Sequence, residues 1–202
     1  MEILVLFDSK GGHVYKIAQG IVEGIEQVDG VKARVRRVKE VTPMEVIRGN
    51  AKWSEFYDWK EANVPEVTHE DMTECAGLVM GSPTRYGNVT PALGNFIESL
   101  GPLWTNDSLF GKPAGVFTST GTMHGGQETT LVSMYFALAH LGYIIVPVGY
   151  AEPAVARTSR GGTPYGASNM AGMPDEWPDE MELSVARALG KRVAETARKL
   201  SA

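Results

Sequence analysis

Five short apolar runs alternate along the chain with longer segments whose apolar residues recur at helical spacing. The third, fourth and fifth runs are continuous, which is typical of parallel strands buried on both faces. The second run alternates apolar with basic side chains, which is typical of a half-exposed edge strand. The predicted strands are Ile3–Phe7, Val31–Val38, Ala76–Met80, Ala114–Phe117 and Tyr143–Val148.

Helical patterns follow or separate these strands. One follows the first strand, and a second begins at Thr90-Pro91, an N-cap followed by a proline at the first helical position. Two more cover 127–141 and 179–200. Strand and helix alternate, so we predict an α/β fold with a doubly wound parallel sheet, helices on both faces and right-handed crossovers. We expect a single domain spanning residues 1–202.

Two segments depart from this alternation. Residues 42–73 form an inserted segment with four aromatic residues, Trp53, Phe56, Tyr57 and Trp59. We expect a helix there, which serves as a lid, as a subunit contact or as packing on the domain's own flank. Residues 157–178 are rich in Gly and Pro, and a loop of that length in a compact domain is usually functional. We therefore predict an active-site loop.

Composition excludes several classes of protein. The net charge is −5, whereas a nucleic-acid binder needs a basic face. The single cysteine, Cys75, forms neither an intramolecular disulfide nor a multi-cysteine metal site. We expect it to be a small buried side chain. No cluster of His and carboxylates has metal-ligand spacing, and no apolar run approaches the ~20 residues that span a membrane. We therefore expect no metal, no membrane insertion and a cytoplasmic location.

Ligands of open parallel sheets bind beyond the carboxyl ends of the strands. The segment after the first strand is neither a Walker A loop nor a GxGxxG motif, and the second strand ends without the acidic residue of a dinucleotide site. Glycines, a hydroxyl and a helix N-terminus are nevertheless able to cradle a monophosphate. The predicted phosphate loop is Ser9, Lys10, Gly11, Gly12, His13 and Val14.

Two further loops follow the third and fourth strands. The first offers a flat ring and backbone amides, and the second is a Gly-rich loop able to stabilise negative charge. The candidate residues are Thr84, Arg85, Tyr86, Ser119, Thr120, Gly121, Thr122, Met123, His124 and Gly125. His140 ends the third predicted helix, where a histidine by itself usually only favours the helix dipole.

Taken together, the loops resemble those of the WrbA-type NAD(P)H:quinone oxidoreductases, which are flavodoxin-like FMN proteins. The resemblance covers almost the whole chain and is most specific at residues 119–129 and 160–167. It implies a flavodoxin-like five-stranded sheet with the order 2-1-3-4-5. It also implies FMN-dependent two-electron reduction of quinones by NAD(P)H, with ping-pong hydride transfer through flavin N5. The alternatives are a flavodoxin-type electron carrier and a regulatory FMN-binding protein without turnover of its own.

The resemblance also assigns roles to residues. Residues 9–14 bind the FMN phosphate, residues 84–86 line the ring and ribityl chain, and residues 119–125 hold the other side of the ring. His140 contacts flavin or substrate as the catalytic residue, contrary to its interpretation as a helix-end residue. Trp104 and Tyr165 wall the substrate space, with Trp104 supplied by a neighbouring subunit of a homotetramer.

One departure from the family pattern bears on the nicotinamide donor. Lys10-Gly11 stands where better-known members have an apolar residue and an aromatic one. That aromatic helps to position the donor, so the resemblance leaves the choice between NADH and NADPH open.

Overall fold

The computed structural model describes residues 1–172 and 174–201. Strands and helices alternate along this part of the chain. The strands are β1 (Glu2–Phe7), β2 (Lys32–Arg37), β3 (Gly77–Pro83), β4 (Pro113–Thr120), β5 (Ile144–Ile145) and β6 (Ala167–Met170). The helices are α1 (His13–Glu26), α2 (Met44–Arg48), α3 (Ala51–Asn63), α4 (His69–Glu74), α5 (Pro91–Glu98), α6 (Gly101–Thr105), α7 (Gln127–His140), α8 (Ala154–Arg157) and α9 (Glu180–Leu200).

The sheet is parallel and has the order β2-β1-β3-β4-β5, with β6 paired to β4. The predicted fold class and strand order are therefore confirmed. β2 lies at the edge, as its alternating pattern predicted, and its outward Arg34 and Arg36 both pair with Asp71 of α4.

The fifth strand differs from the prediction. Of the predicted run 143–148, only Ile144–Ile145 pairs with β4 as a strand. Val146 still donates its N–H to Ala114, at 2.8 Å, but Pro147 has no N–H to continue the ladder. The chain then leaves the sheet, and β6 pairs with residues 117–120 of β4 in its place. The segment 157–178, which was predicted to be a loop, therefore contributes a sixth strand.

Alternate residues of the central strands supply two separate cores. Ile3, Val5 and Phe7 face α1 and α9, whereas Leu4 and Leu6 face the layer that contains α5 and α7. The α1 and α9 helices pack closely, because a Cβ on Gly24 would lie 2.0 Å from the Arg187 carbonyl oxygen. These two layers bury both faces of the sheet and leave its edges for loops.

The inserted segment is helical, as expected. In α3, Phe56 and Trp59 pack on Tyr15 of α1, with ring centroids 6.1 and 4.9 Å from its ring. This arrangement favours packing on the domain's own flank for these two side chains. Cys75 is buried as expected, and burial raises its pKa to about 11. Within the described residues, no helix combines the length and apolar character needed to cross a membrane.

Candidate functional site

Three loops meet at the carboxyl edge of the sheet, after β1, β3 and β4. Thr84, just past β3, donates its N–H to the Ser119 carbonyl of β4 at 3.1 Å, which ties two of these connections together. Between the loops lies a cavity of about 160 Å³. Its walls are Ser9, Lys10, Gly11, His13, Val14, Pro83, Thr84, Arg85, Ser119, Thr120, Gly121 and Ala171. Candidate residues from all three predicted loops thus lie around one space.

The first loop is suited to a phosphate group. Gly12 is the N-cap of α1 with φ +93°, a left-handed conformation that favours glycine. No side chain caps the helix and its first turn carries no acidic residue, so its amide donors and positive dipole end stay available. A Cβ on Gly12 would lie 3.0 Å from the Trp177 ring. The Ser9 hydroxyl accepts from the Gly12 N–H at 3.2 Å, which holds the turn closed.

A buried cluster of charges lies beneath this loop. The Lys10 ammonium donates to both Glu40 oxygens, at 2.8 and 2.9 Å, and lies 3.1 Å from Asp8. Lys60 of α3 is fully buried, with its ammonium 3.8 Å from an oxygen of each carboxylate. Thr90 donates its hydroxyl to Asp8 at 2.7 Å. Because the Lys10 ammonium is bound by these carboxylates, Lys10 can donate only its backbone N–H to a phosphate.

Sequence reasoning missed Asp8, Glu40 and Lys60. Only one sequence signal points to Lys60. It stands four residues after Phe56, on the helix face that packs inward. Burial opposes charge on Glu40 and on Lys60. Burial would raise the pKa of Glu40, but hydrogen bonds from Lys10 and Thr42 hold that pKa at about 2. Burial lowers the pKa of Lys60, while Asp8 and Glu40 act in the opposite direction.

The second loop projects an aromatic ring into solvent. Tyr86 is fully exposed and has φ +54°, which a non-glycine residue adopts only at a cost of about 1–3 kcal/mol. The turn is fixed by reciprocal backbone bonds between Arg85 and Asn88, at 2.8 and 3.1 Å, and by the Gly87 N–H bonding to the Thr84 hydroxyl. A strained turn that exposes a flat apolar ring is typical of a ligand site.

The third loop begins inside the sheet. Ser119 and Thr120, predicted to be loop residues, are the last two residues of β4, because pairing with β3 and β6 extends the strand. Gly126, with φ +89°, starts α7, and a Cβ there would lie 2.9 Å from Gly87 of the second loop. The second and third loops are therefore in direct contact.

A larger cavity of about 760 Å³ lies on the other side of the third loop. Met123 and His124 line it together with Arg160 and Pro164 from the Gly/Pro-rich segment. Tyr165 follows Pro164, is half exposed, and accepts through its carbonyl a 2.5 Å bond from the Tyr135 hydroxyl. This segment therefore lines a cavity beside the third loop, and its role as an active-site loop stays a prediction.

His140 and Trp104 lie together but away from the three loops. Their ring centroids are 6.1 Å apart and both side chains are exposed. The carbonyl of Gly142, just after α7, accepts from Gly111, just before β4, at 2.9 Å, so this end of α7 lies at the amino edge of the sheet. The α7 axis spans roughly 20 Å, at ~1.5 Å for each of its residues. One chain therefore does not bring these two predicted residues to its own loops.

Comparison with known proteins identifies the family. The family of NADPH-dependent FMN reductases matches residues 1–154. The chain belongs to this family. Two relatives named NAD(P)H dehydrogenase (quinone) align over 99% of this chain and 99% of their own length. The protein of Methanosarcina barkeri is 41% identical and that of Geobacter metallireducens is 38% identical. The resemblance to WrbA-type oxidoreductases is therefore confirmed.

Solved structures confirm the flavodoxin-like fold of this family member. A flavodoxin, WrbA-like protein from Agrobacterium tumefaciens superposes with a TM-score of 0.69 at 19% identity, covering 98% of both chains. Oxidised flavodoxin 1 from Bacillus cereus superposes with a TM-score of 0.58 at 12% identity, covering 96% of this chain and 98% of the other.

The residues at the carboxyl edge fit FMN. The first loop combines free helix-start amides, a glycine that leaves no room for a side chain and a buried serine hydroxyl. These are the groups that bind a phosphate monoester without requiring a cationic side chain. The second and third loops add an exposed aromatic ring and Gly-rich backbone, which suit a flat heterocycle.

Proposed function

We propose that the chain is an NAD(P)H:quinone oxidoreductase that depends on FMN. The convergence of the three loops around one cavity is the observation that carries this proposal. The names of relatives aligned over almost the entire chain point to the same activity. Because the proposed donor is a reduced nicotinamide, we place the reaction in the cytoplasm.

Each part of the chain has a proposed role in holding the cofactor. Residues 9–14 bind the phosphate through backbone donors, residues 84–86 line the ring and ribityl chain, and residues 119–125 hold the opposite side of the ring. Bound FMN would supply two-electron chemistry between nicotinamide and quinone, in a ping-pong order. The protein's own task is to orient flat reactants beside the loops and to exclude water.

We propose that substrate residues come from more than one subunit of a homotetramer. Trp104 and His140 lie at the amino edge, where Phe110 and Phe136 also expose large apolar side chains. An exposed apolar patch of this kind is typical of a protein interface. A second copy docked there would carry Trp104 and His140 to a neighbour's loops, opposite Tyr165. His140 then hydrogen-bonds the quinone oxygen or relays a proton to it, since an imidazole ring carries both a donor and an acceptor nitrogen.

The first experiment measures steady-state oxidation of NADH and NADPH with benzoquinone by the FMN-loaded protein. We expect a yellow protein with sustained turnover, and we expect Gly12→Ala to lose FMN and activity together. Gly94→Ala is the matched control, since its new Cβ would meet no atom closer than 4.0 Å. A protein that takes up FMN but turns over neither donor would instead be an electron carrier. A protein that takes up no FMN would contradict the proposal entirely.

A second experiment addresses His140. We expect His140→Ala to lower quinone turnover more than it lowers FMN affinity, because the side chain faces substrate and not the phosphate loop. Light scattering of the purified protein gives the number of chains. A monomer with full activity would contradict the shared site.

A further inference from the structure

Unpartnered polar groups concentrate beside the phosphate loop. In the described part of the chain, six buried side-chain N or O atoms lack a hydrogen-bond partner, and four of them belong to Asp8, His13, Trp53 and Lys60. Buried polar atoms without partners are rare and call for an explanation such as a missing ligand or water. Two of the four, His13 Nε2 and Trp53 Nε1, belong to residues that line an open cleft.

This cleft has a volume of about 400 Å³ and joins the cavity of the three loops. The two share Lys10, Gly11, His13 and Arg85 as lining residues. The lining residues that the cleft does not share with the cavity come mainly from the start of α3, which belongs to the inserted aromatic segment. Its full lining is Lys10, Gly11, His13, Asn50, Lys52, Trp53, Arg85 and Asp175.

The charges of the cleft favour an anion. Arg85 bonds to the Thr84 carbonyl at 2.8 Å, and no carboxylate pairs with its guanidinium among the described residues. Lys52 pairs with Asp175, the one carboxylate among the lining residues of this part of the chain. An Asp175 oxygen also lies 3.0 Å from His13 Nε2, without the alignment of a hydrogen bond. The carboxylate of Asp175 thus already lies where an anionic ligand would be bound.

The uncharged groups of the cleft favour a nucleotide. Trp53 contributes an indole ring and an unused N–H, and Asn50, the N-cap of α3, lies beside it. The Lys10 ammonium lies 4.9 Å from the centre of the Trp53 ring, which fixes the ring over the loop. An aromatic face beside cationic side chains is a combination that binds a purine and its phosphates.

We propose that this cleft binds the phosphorylated adenosine end of the nicotinamide donor and that Lys52 selects NADPH over NADH through its 2′-phosphate. The inference rests on the proposed function, since it assigns a donor to that same site. Basic side chains near the adenosine ribose accommodate a 2′-phosphate, and here the 2′-phosphate would replace the Asp175 carboxylate as the partner of Lys52. Lys52 lies outside the residues assigned to FMN, so its replacement separates donor binding from cofactor binding.

The binding test uses calorimetry on the FMN-loaded protein with 2′,5′-ADP and 5′-AMP as probes. We expect 2′,5′-ADP to bind about tenfold more tightly or better, as one or two charge-assisted contacts provide. Lys52→Gln removes most of this difference, and Asp175→Asn increases it by freeing the cations. Lys199→Gln, an exposed lysine on α9, is the matched control and changes neither affinity.

The kinetic test compares kcat/KM for the two donors. We expect the wild type to favour NADPH by about tenfold and Lys52→Gln to bring the ratio near one by lowering kcat/KM for NADPH far more than for NADH, with FMN affinity unchanged. Equal binding of the two probes would overturn the inference, and so would a loss of FMN affinity in Lys52→Gln, which would assign the cleft to the cofactor phosphate. Absence of turnover with either donor would refute the proposed function. The relative affinity for 2′,5′-ADP and 5′-AMP would still show whether the cleft binds a 2′-phosphate.

Discussion

Replacing Lys60 by methionine tests the buried charge cluster that supports the phosphate loop. Lys60→Met keeps a long unbranched side chain in a fully buried position but removes its charge. Asp8 and Glu40 then share the single positive charge of Lys10, which leaves the cluster with a net negative charge beneath the loop. The structure therefore predicts a loss of stability rather than the gain that an apolar residue would bring elsewhere in a core.

The magnitude follows from two distances. Lys60 Nζ lies 3.8 Å from Asp8 and 3.8 Å from Glu40. Each attraction amounts to about 4 kcal/mol at an effective dielectric constant of ~20. The cost of burying the ammonium offsets a large part of this sum, as the lowered pKa of Lys60 indicates. Removing one partner of a buried ion pair typically costs ~3–5 kcal/mol, and we expect a loss in that range.

Urea denaturation of the FMN-free protein measures this loss as a lower midpoint at unchanged slope. The double variant Lys60→Met/Glu40→Gln removes one charge of each sign. We expect it to be more stable than the sum of the two single changes predicts, by at least ~1 kcal/mol. Strictly additive effects, or a Lys60→Met protein as stable as the wild type, would refute the reasoning.

Three further predictions concern other parts of the chain. The folded-state pKa of Glu40 is about 2, whereas its ordinary value is 4.5. Its contribution of about 3 kcal/mol to the free energy of unfolding is therefore present above pH 4.5 and is lost as the pH falls toward 2. The stability of Glu40→Gln, measured by denaturation, should depend less on acid pH than that of the wild type. The Cys75 thiol should stay unreactive toward a thiol reagent at pH 8 until the protein unfolds, because its pKa is about 11, and a rapid reaction of the folded protein would contradict its burial. Gly24→Ala should lower the melting temperature despite the higher helix propensity of alanine, because its Cβ would lie 2.0 Å from the Arg187 carbonyl oxygen. Gly94→Ala in α5 should instead raise stability by ~0.5–1 kcal/mol. A change of stability in the same direction for both variants would contradict the close packing of α1 on α9.

The sequence predicted the loop convergence because the signals for it are local. The first, third and fourth apolar runs are each followed by a loop that contains Gly with Ser or Thr, and parallel strands bring their carboxyl ends to one edge. Thr90 and Pro91 likewise predicted the start of α5. In the structure the Thr90 hydroxyl accepts a hydrogen bond from the Leu93 N–H, as an N-cap does. Features that depend on residues close together in the sequence could therefore be predicted.

Features that depend on residues far apart in the sequence could not be predicted. The Asp8–Lys60 contact joins the end of β1 to a helix of the inserted segment, and no local pattern connects them. The β6 residues Ala167–Met170 carry no β-branched or aromatic side chain, so the strand forms because the carboxyl half of β4 is left without a partner once Pro147 interrupts pairing.

Titration of the FMN-free protein with FMN and with riboflavin tests the central claim most directly, because the two ligands differ only in the phosphate. If the amides of residues 9–14 hold that phosphate, FMN binds with one molecule per chain and about a hundredfold or more tighter than riboflavin, as two or more charge-assisted hydrogen bonds provide. Equal affinity for the two ligands, or no uptake of either, would contradict the assignment of the three loops as a flavin mononucleotide site.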